Sequence, residues 1–260
     1  MNFIEQKVEL IPQEQGILGV YSQIEKAGRV CYLSEPKGEP KAFVKMLTEK
    51  QHYSPLEHGT VYLSVVMDNV SSLDFVKIGL LKDNKYTQVI FENDLKGLFA
   101  YITTNYRVIV ENNLQSLVIY RVDNPYKHER RYTFHIITSI GIAREIMRHR
   151  NFSYCQESTR WINYNKKDIE FIKPYWYETT SDDEKHIFEN YIKTSEITYK
   201  QLISAGLKAQ DARDVLPLDT KTELYMTGFK TDWEDFINKR NIPQAHPMAR
   251  EIAQQIEKQI

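Results

Sequence analysis

Arg131-Tyr132-Thr133-Phe134-His135-Ile136-Ile137-Thr138, running into Ser139-Ile140-Gly141-Ile142-Ala143-Arg144-Glu145-Ile146-Met147-Arg148-His149-Arg150, is the stretch on which the fold turns. Its first eight residues predict a strand. From Ser139 to His149 the spacing predicts a helix, because Ile140, Ala143 and Met147 fall at i, i+3 and i+7, a stripe that faces a core. Upstream, Val8 to Ile11 predicts a strand. Ile17 to Val30 predicts a helix with Ile17, Val20, Tyr21, Ile24 and Ala27 at helical spacing. A second helix starts at Pro40, a residue suited to a first turn, with Phe43, Val44 and Leu47 on one face. Gln51 to His58 is turn-like, and Gly59 to Met67 predicts a strand.

The pattern weakens between about Asp68 and Glu129, where Tyr86 to Phe91 predicts a strand and Leu98 to Tyr120 is mixed or helical. Downstream, Asp168 to Ile172 predicts a short strand ended by Pro174. Ser181 to Ala205 predicts a long helix, with Ser181 as N-cap, Glu184 three residues on and Gly206 past the end. Ala209 to Val215 is helical up to Pro217, Trp233 to Lys239 predicts a short helix, and a last helix runs from Pro247 to Ile260. Strands and helices mix along one chain, the pattern of the α/β (α+β) class.

The chain has 260 residues, 42% hydrophobic and 27% charged, enough for one large domain, or a core domain with an insertion, with a substantial core. A net charge of −1 argues against a protein that coats a nucleic-acid polymer. No apolar run is long enough to span a membrane, and the N-terminus lacks the pattern of a secretory signal. Two cysteines, Cys31 and Cys155, build neither a disulfide framework nor a metal site, so a cytoplasmic setting is expected. Seventeen tyrosines and eleven phenylalanines suit an α/β core, and equally a planar ligand.

The densest cluster of chemistry is Arg148-His149-Arg150, followed after seven residues by Ser158, Thr159 and Arg160. Cations at a helix C-terminus are stabilised by its dipole, which accounts for such a trio without any ligand. Against that stands the run Asn151 to Arg160, dense in hydroxyl, amide and carboxylate groups. Guanidinium forks bind phosphate bidentately, and Ser158 and Thr159 could donate to the same anion. Arg213 and Arg240, far along the chain, are weak signals singly and gain weight in combination.

These segments together resemble one family. Arg148-His149-Arg150 with Ser158 is similar to the RHR-x7-S signature of flavin-dependent thymidylate synthases, and Phe134-His135 through Ile142-Ala143-Arg144 leads into it at the family's spacing. His52-Tyr53-Ser54-Pro55-Leu56-Glu57-His58 resembles the upstream H-x-x-P-x-E-H segment, and Arg29-Val30-Cys31-Tyr32 its R-V-S-F. Ala212-Arg213-Asp214-Val215-Leu216-Pro217 is similar to A-R-x-x-L-P, and Trp233 to Arg240 to the helix that follows. The likeness covers nearly all the chain except about residues 68–129.

The resemblance implies a single catalytic domain over residues 1–260 with an insertion at about 68–129, a mixed sheet with flanking helices, and a homotetramer holding FAD and dUMP where subunits meet. It implies transfer of a methylene from methylenetetrahydrofolate to dUMP, giving dTMP, with a flavin hydride supplied from NADPH and no metal. Carried over by position, Arg148, His149 and Arg150 hold FAD, with His52, Ser54 and Asp235 on the flavin side. Gln156 lies between cofactor and substrate. The dUMP set is Glu145, Arg148, Gln156, Glu157, Ser158, Thr159, Arg160, Arg213 and Arg240, with phosphate as the target of Arg160 and Arg213. Arg240 faces the pyrimidine edge and is the catalytic group, since a fixed guanidinium stabilises charge growing across N3 and O4.

The chain departs from the family at three of these places and at the residue after Arg160. Gln156 stands for a glutamate, Asp235 for an asparagine, Glu145 for a glutamine and Trp161 for a tyrosine. For residues 68–129 a lid, a packing arm and a subunit contact all stay open. Cys155 is expected to pack rather than attack substrate, and Ser158 to bind, no base being evident beside it. Two rival readings remain: another flavoprotein or nucleotide-binding enzyme using the same anion site, and a non-catalytic nucleotide or RNA-binding module. The neutral net charge disfavours the second.

Overall fold

In the computed structural model, which describes residues 2–82, 84–166 and 168–260, helical and extended segments alternate from the start. They are β1 (Asn2–Ile4), β2 (Lys7–Leu10), α1 (Gly16–Val30), α2 (Pro40–Glu49), β3 (Thr60–Val66), α3 (Ser72–Lys82), β4 (Gln88–Asp94), β5 (Gly97–Asn105) and α4 (Tyr106–Glu111). After them come β6 (Arg131–Ser139), α5 (Ile140–Ile146), β7 (Ser153–Gln156), β8 (Glu170–Ile172), α6 (Asp182–Ser204), α7 (Ala209–Ala212), β9 (Lys221–Phe229), α8 (Lys230–Arg240) and α9 (Pro247–Glu257).

The sheet that positions the site has the order β2-β6-β9-β7, antiparallel throughout. Strand alternation gives it two faces. On one, Phe134, Ile136, Leu224 and Met226 pack against α5, α8 and α9 through Ile142, Ile146, Trp233, Phe236, Ile252 and Ile256. The other face is polar and lies beneath α1. A second antiparallel sheet, β3-β5-β4, carries its own core with α1, α2, α3 and α4, centred on Ile24, Leu56, Leu63, Leu81 and Ile102. β1 and β8 form a parallel pair beside α6, where Phe171, Ile192 and Tyr199 are buried. The α/β (α+β) class is therefore met by two antiparallel sheets and a parallel pair, with helices against them.

The cap of α6 is as expected: Ser181 Oγ accepts from the Glu184 N–H and the Glu184 carboxylate accepts from the Ser181 N–H. Elsewhere the chain corrects the expectations. β9, the strand at the centre of the main sheet, lies in a stretch for which no element was expected, and so do α3, β1 and β7. The segment 98–120, expected as mixed or helical, begins as β5 before turning into α4 and a 3-10 turn at Gln115–Tyr120. Residues 68–129 thus complete the second sheet, with β5 paired along the whole of β3.

α5 stops at Ile146, one turn before the expected end, because its last carbonyls are claimed from outside the helix. Arg240 Nη2 donates to the Glu145 carbonyl at 2.9 Å, and Tyr154 Oη donates to those of Ile146 and His149 at 3.0 and 2.9 Å. Arg148-His149-Arg150 consequently sits in a turn beyond the helix. Phe152 anchors that turn, its ring 4.5 Å from that of Trp233. The contact exists because position 228 has no side chain: a Cβ there would lie 2.4 Å from the Phe152 ring.

Candidate functional site

Two groups of expected site residues emerge in the chain, in different places. The first surrounds the end of α5. Arg240, the last residue of α8, reaches across 91 residues of sequence so that its Nε donates to His149 Nε2 at 3.0 Å. Its Nη1 donates to Glu145 Oε2 at 3.2 Å, beside the bond to the Glu145 carbonyl. The guanidinium is held by three of its five N–H groups, leaving one on each Nη. Its side chain is 18% exposed, a partly dry setting in which a charge acts strongly. Burial, then the charges of Arg240 and Lys239, keep the His149 imidazole below its ordinary range, so its Nε2 stays a free acceptor. The ring packs edge-on to Phe236 at 4.8 Å.

Arg148 and Arg150 flank His149 and are exposed. Among the described residues no hydrogen bond or ion pair engages either side chain. Asp235, one turn before Lys239 on α8, is exposed and pairs with that lysine at 2.7 Å, so its charge is already matched on the surface.

The second group lines a cleft of about 630 Å³ between the ends of β7 and β9. Gln156, Ser158, Thr159 and Arg213 form its wall, with Arg144 from α5 and Thr222 from β9. Arg213 Nη1 donates to Thr159 Oγ1 at 3.3 Å, bringing together two residues 54 positions apart. Gln156 Nε2 donates to Thr222 Oγ1 at 3.1 Å. Arg144, which the sequence reading passed over as part of a helix, is exposed and adds a cation to this wall. Arg160 is exposed beyond the cleft, its guanidinium 5.6 Å from the Trp161 ring centroid. Arg148, His149, Arg150 and Arg240 are not on this wall.

Glu157 differs from its neighbours. Alternation along β7 sends Tyr154 and Gln156 to one face of the sheet and Cys155 and Glu157 to the other. The Glu157 side chain is 1% exposed, accepts from Tyr164 Oη at 2.8 Å and pairs with Lys221 Nζ at 3.3 Å. Burial pushes its carboxyl up, against the pull of Lys221. Lys221 also pairs with Glu223, and His135 with Glu223 at 2.9 Å. Hydrogen bonding from His135 and the charge of Lys221 hold Glu223 down to about 2 despite its burial. This polar row faces a second cleft, of about 520 Å³, beneath the end of α1.

The segment from His52 to His58 divides in the same way. His52 and Ser54 are exposed, and Ser54 Oγ donates to the Tyr154 carbonyl at 3.4 Å, setting the turn beside β7. Glu57 and His58 turn inward. Glu57 pairs with Arg107 at 2.5 Å. His58 Nδ1 shares a hydrogen bond with Thr227 Oγ1 at 2.7 Å, and Thr227 with Thr133 at 2.8 Å. Complete burial and the nearby Arg131 lower the His58 pKa to about 3, so it is a neutral strut between the turn and β9.

The donor set fits a flavin dinucleotide. Arg148 and Arg150 are exposed guanidinia that have no internal partner among the described residues, and two adjacent free forks are what a pyrophosphate requires. The described residues hold no cluster of metal-ligating side chains. Among them, too, no helix is long and apolar enough to cross a membrane.

Comparison with known proteins agrees with this geometry. Residues 100–260 match the family model described as thymidylate synthase complementing protein, which places residues 100–129 of the weakly patterned span inside the matched segment. A flavin-dependent thymidylate synthase of Thermotoga neapolitana is 32% identical over 161 residues, covering 58% of this chain and 73% of the relative. One of Aquifex aeolicus is 30% identical over 144 residues, 50% of this chain and 45% of the relative. One of Pyrococcus furiosus is 29% identical over 150 residues, 55% and 59%. The chain thus spans about three quarters of the first of these and about half of the other two. With the match running from β5 through α9, and so through both groups of site residues, the chain belongs to the thymidylate synthase complementing protein family.

Proposed function

We propose that the chain is a flavin-dependent thymidylate synthase, which converts dUMP to dTMP with methylenetetrahydrofolate as carbon donor and NADPH as reductant. The observation that carries the reading is the arrangement at Arg240: a partly buried guanidinium fixed by His149 and Glu145, with two N–H groups to spare, near two arginines that have no partner among the described residues.

Arg148 and Arg150 would hold the FAD phosphates, with His149, His52, Ser54 and Gln156 around the cofactor and Asp235 at its edge. FAD supplies the hydride that no side chain can carry. Arg213, Thr159 and Ser158 grip the dUMP phosphate in the cleft of about 630 Å³, and Arg160, exposed beyond it, would have to swing in to join them. Arg240 directs its spare N–H groups at the pyrimidine edge. Uracil C5 becomes nucleophilic as negative charge grows across N3 and O4, and a guanidinium whose position is already fixed stabilises that charge without reorganising. Glu145 and His149 hold it there. No protein nucleophile is needed: Cys155 is buried against α1 on the far face of β7.

Because the phosphate-gripping group and the ring-activating group do not share a cleft within one chain, a complete site would pair the first from one copy with the second from another. That supports sites shared between subunits, and the homotetramer remains what the family resemblance implies. The function is tested by incubating purified protein with dUMP, methylenetetrahydrofolate, FAD and NADPH. The expected result is dTMP with a yellow, flavin-containing enzyme. Flavin-free protein that forms no dTMP after FAD addition would defeat the reading.

A further inference from the structure

Cys31 follows the last residue of α1, and Cys155 stands in the middle of β7. The fold brings them side by side in the small cluster formed with Ala27 and Val30. Cys155 is a buried member of that cluster, and Cys31 packs against it from the end of α1. The Cys31 carbonyl in turn accepts from the Ser158 N–H at 3.2 Å. Cys31 is therefore tied through its backbone to Ser158. Cys155 is 4% exposed, whereas Cys31 is half-buried, and its neighbours Val30 and Leu33 belong to the wall of the second cleft. Cys31 is thus partly exposed beside the cleft, and Cys155 is buried in the cluster against which it packs.

The two sulfurs are chemically unequal. Hydrogen bonding from Cys155 and from the Gln156 N–H draws the Cys31 thiol below its ordinary range against the effect of burial. Sharing its proton with Cys31, together with burial, pushes Cys155 well up. A partly exposed thiol whose pKa is lowered, backed by a buried one whose pKa is raised, is the arrangement of a reacting and a resolving cysteine.

We propose that Cys31 and Cys155 are a hydroperoxide-responsive pair that closes to a disulfide, cross-linking the end of α1 to β7 and loosening the nucleotide grip of residues 156–159. The first step breaks the O–O bond: the Cys31 thiolate attacks one peroxide oxygen, giving a sulfenic acid, and the other oxygen leaves as water after taking a proton. The Cys155 sulfur then attacks Cys31, its proton leaving with the sulfenic oxygen as a second water. Two thiols are oxidised and one peroxide is reduced. Drawing Cys31 onto Cys155 moves the carbonyl that holds Ser158. Only this loosening rests on the function proposed above.

The test uses the full chain with its flavin, treated with hydrogen peroxide, quenched with N-ethylmaleimide and mapped by mass spectrometry. The expected result is a Cys31–Cys155 disulfide reversed by dithiothreitol, and dUMP affinity lowered about fivefold, the worth of one hydrogen bond, until reduction restores it. In Cys155→Ser, Cys31 should accumulate as a sulfenic acid that dimedone traps. In Cys31→Ser, Cys155 should stay reduced. Two thiols still alkylatable in the treated wild type, or Cys155 oxidising as fast in Cys31→Ser, would overturn the pair. A disulfide that leaves dUMP affinity unchanged would overturn the loosening. Reduced protein that does not bind dUMP at all would instead contradict the proposed function, while the thiol result stands by itself.

Discussion

Arg240 Nε donates to His149 Nε2 across 3.0 Å, which requires that ring nitrogen to be unprotonated. Burial and the two neighbouring cations lower the His149 pKa in the folded chain below the unfolded value of about 6.5. For a group depressed in this way the stabilisation is complete above the unfolded pKa. It is lost as pH falls from there through the folded value, because the unfolded chain takes up the proton first. Thermal stability should therefore decline below about pH 6.5, and His149→Gln should flatten that decline. Tm measured against pH for both proteins checks it; parallel curves would remove His149 from the account.

Arg148→Ala and Arg150→Ala should each weaken FAD binding while leaving the fold intact, since both side chains are exposed and form no internal bond among the described residues. A charge-assisted hydrogen bond contributes about 1.5–3 kcal/mol, so losses of roughly tenfold or more are expected. Fluorescence titration with FAD measures this. Unchanged affinity in both variants would return the trio to a solvated turn.

Gly228→Ala should destabilise the chain, because the new methyl would lie 2.4 Å from the Phe152 ring, which is packed on Trp233. Overpacking of a core costs about 1–3 kcal/mol. The displaced ring also anchors the Arg148–Arg150 turn, so FAD affinity should fall together with Tm. A variant as stable as the wild type would show that Phe152 moves freely.

Cys155 should form no adduct with substrate, since it is buried on the α1 side of β7. Intact-mass spectrometry after incubation with 5-fluoro-dUMP should show no Cys155-linked species. A stoichiometric adduct through that sulfur would replace the mechanism proposed here.

Much of this was legible in the residues, and what was not has a common cause. The Ser181–Glu184 cap and the stripes of α1 and α2 are local patterns, and the structure shows them where the pattern predicts. β9 was missed because it opens with Lys221-Thr222-Glu223 and contains Gly228, so its core positions Leu224 and Met226 are too few to signal a strand. Glu157 sits inside the recognised motif, yet its direction depends on the phase of β7, which a polar run does not display. The contact of Arg240 with Glu145 spans 95 positions and arises only when α8 is laid against the end of α5. Local spacing reports elements; the pairing of distant cations with their supports is a property of the sheet between them.

The proposed mechanism divides the labour between Arg213, which anchors, and Arg240, which activates. An interaction equal in ground and transition states raises KM when removed, whereas one made mainly in the transition state lowers kcat. Arg213→Ala should chiefly weaken dUMP binding and recover part of its rate at saturation. Arg240→Ala should still take a hydride from NADPH onto FAD but lose turnover by roughly 10²–10³ even when saturated. The deciding measurement is single-turnover oxidation of the reduced flavin in Arg240→Ala, with dUMP and methylenetetrahydrofolate at saturation. A rate lower than wild type by that factor is the predicted result; oxidation at the wild-type rate would show that Arg240 is not the activating group.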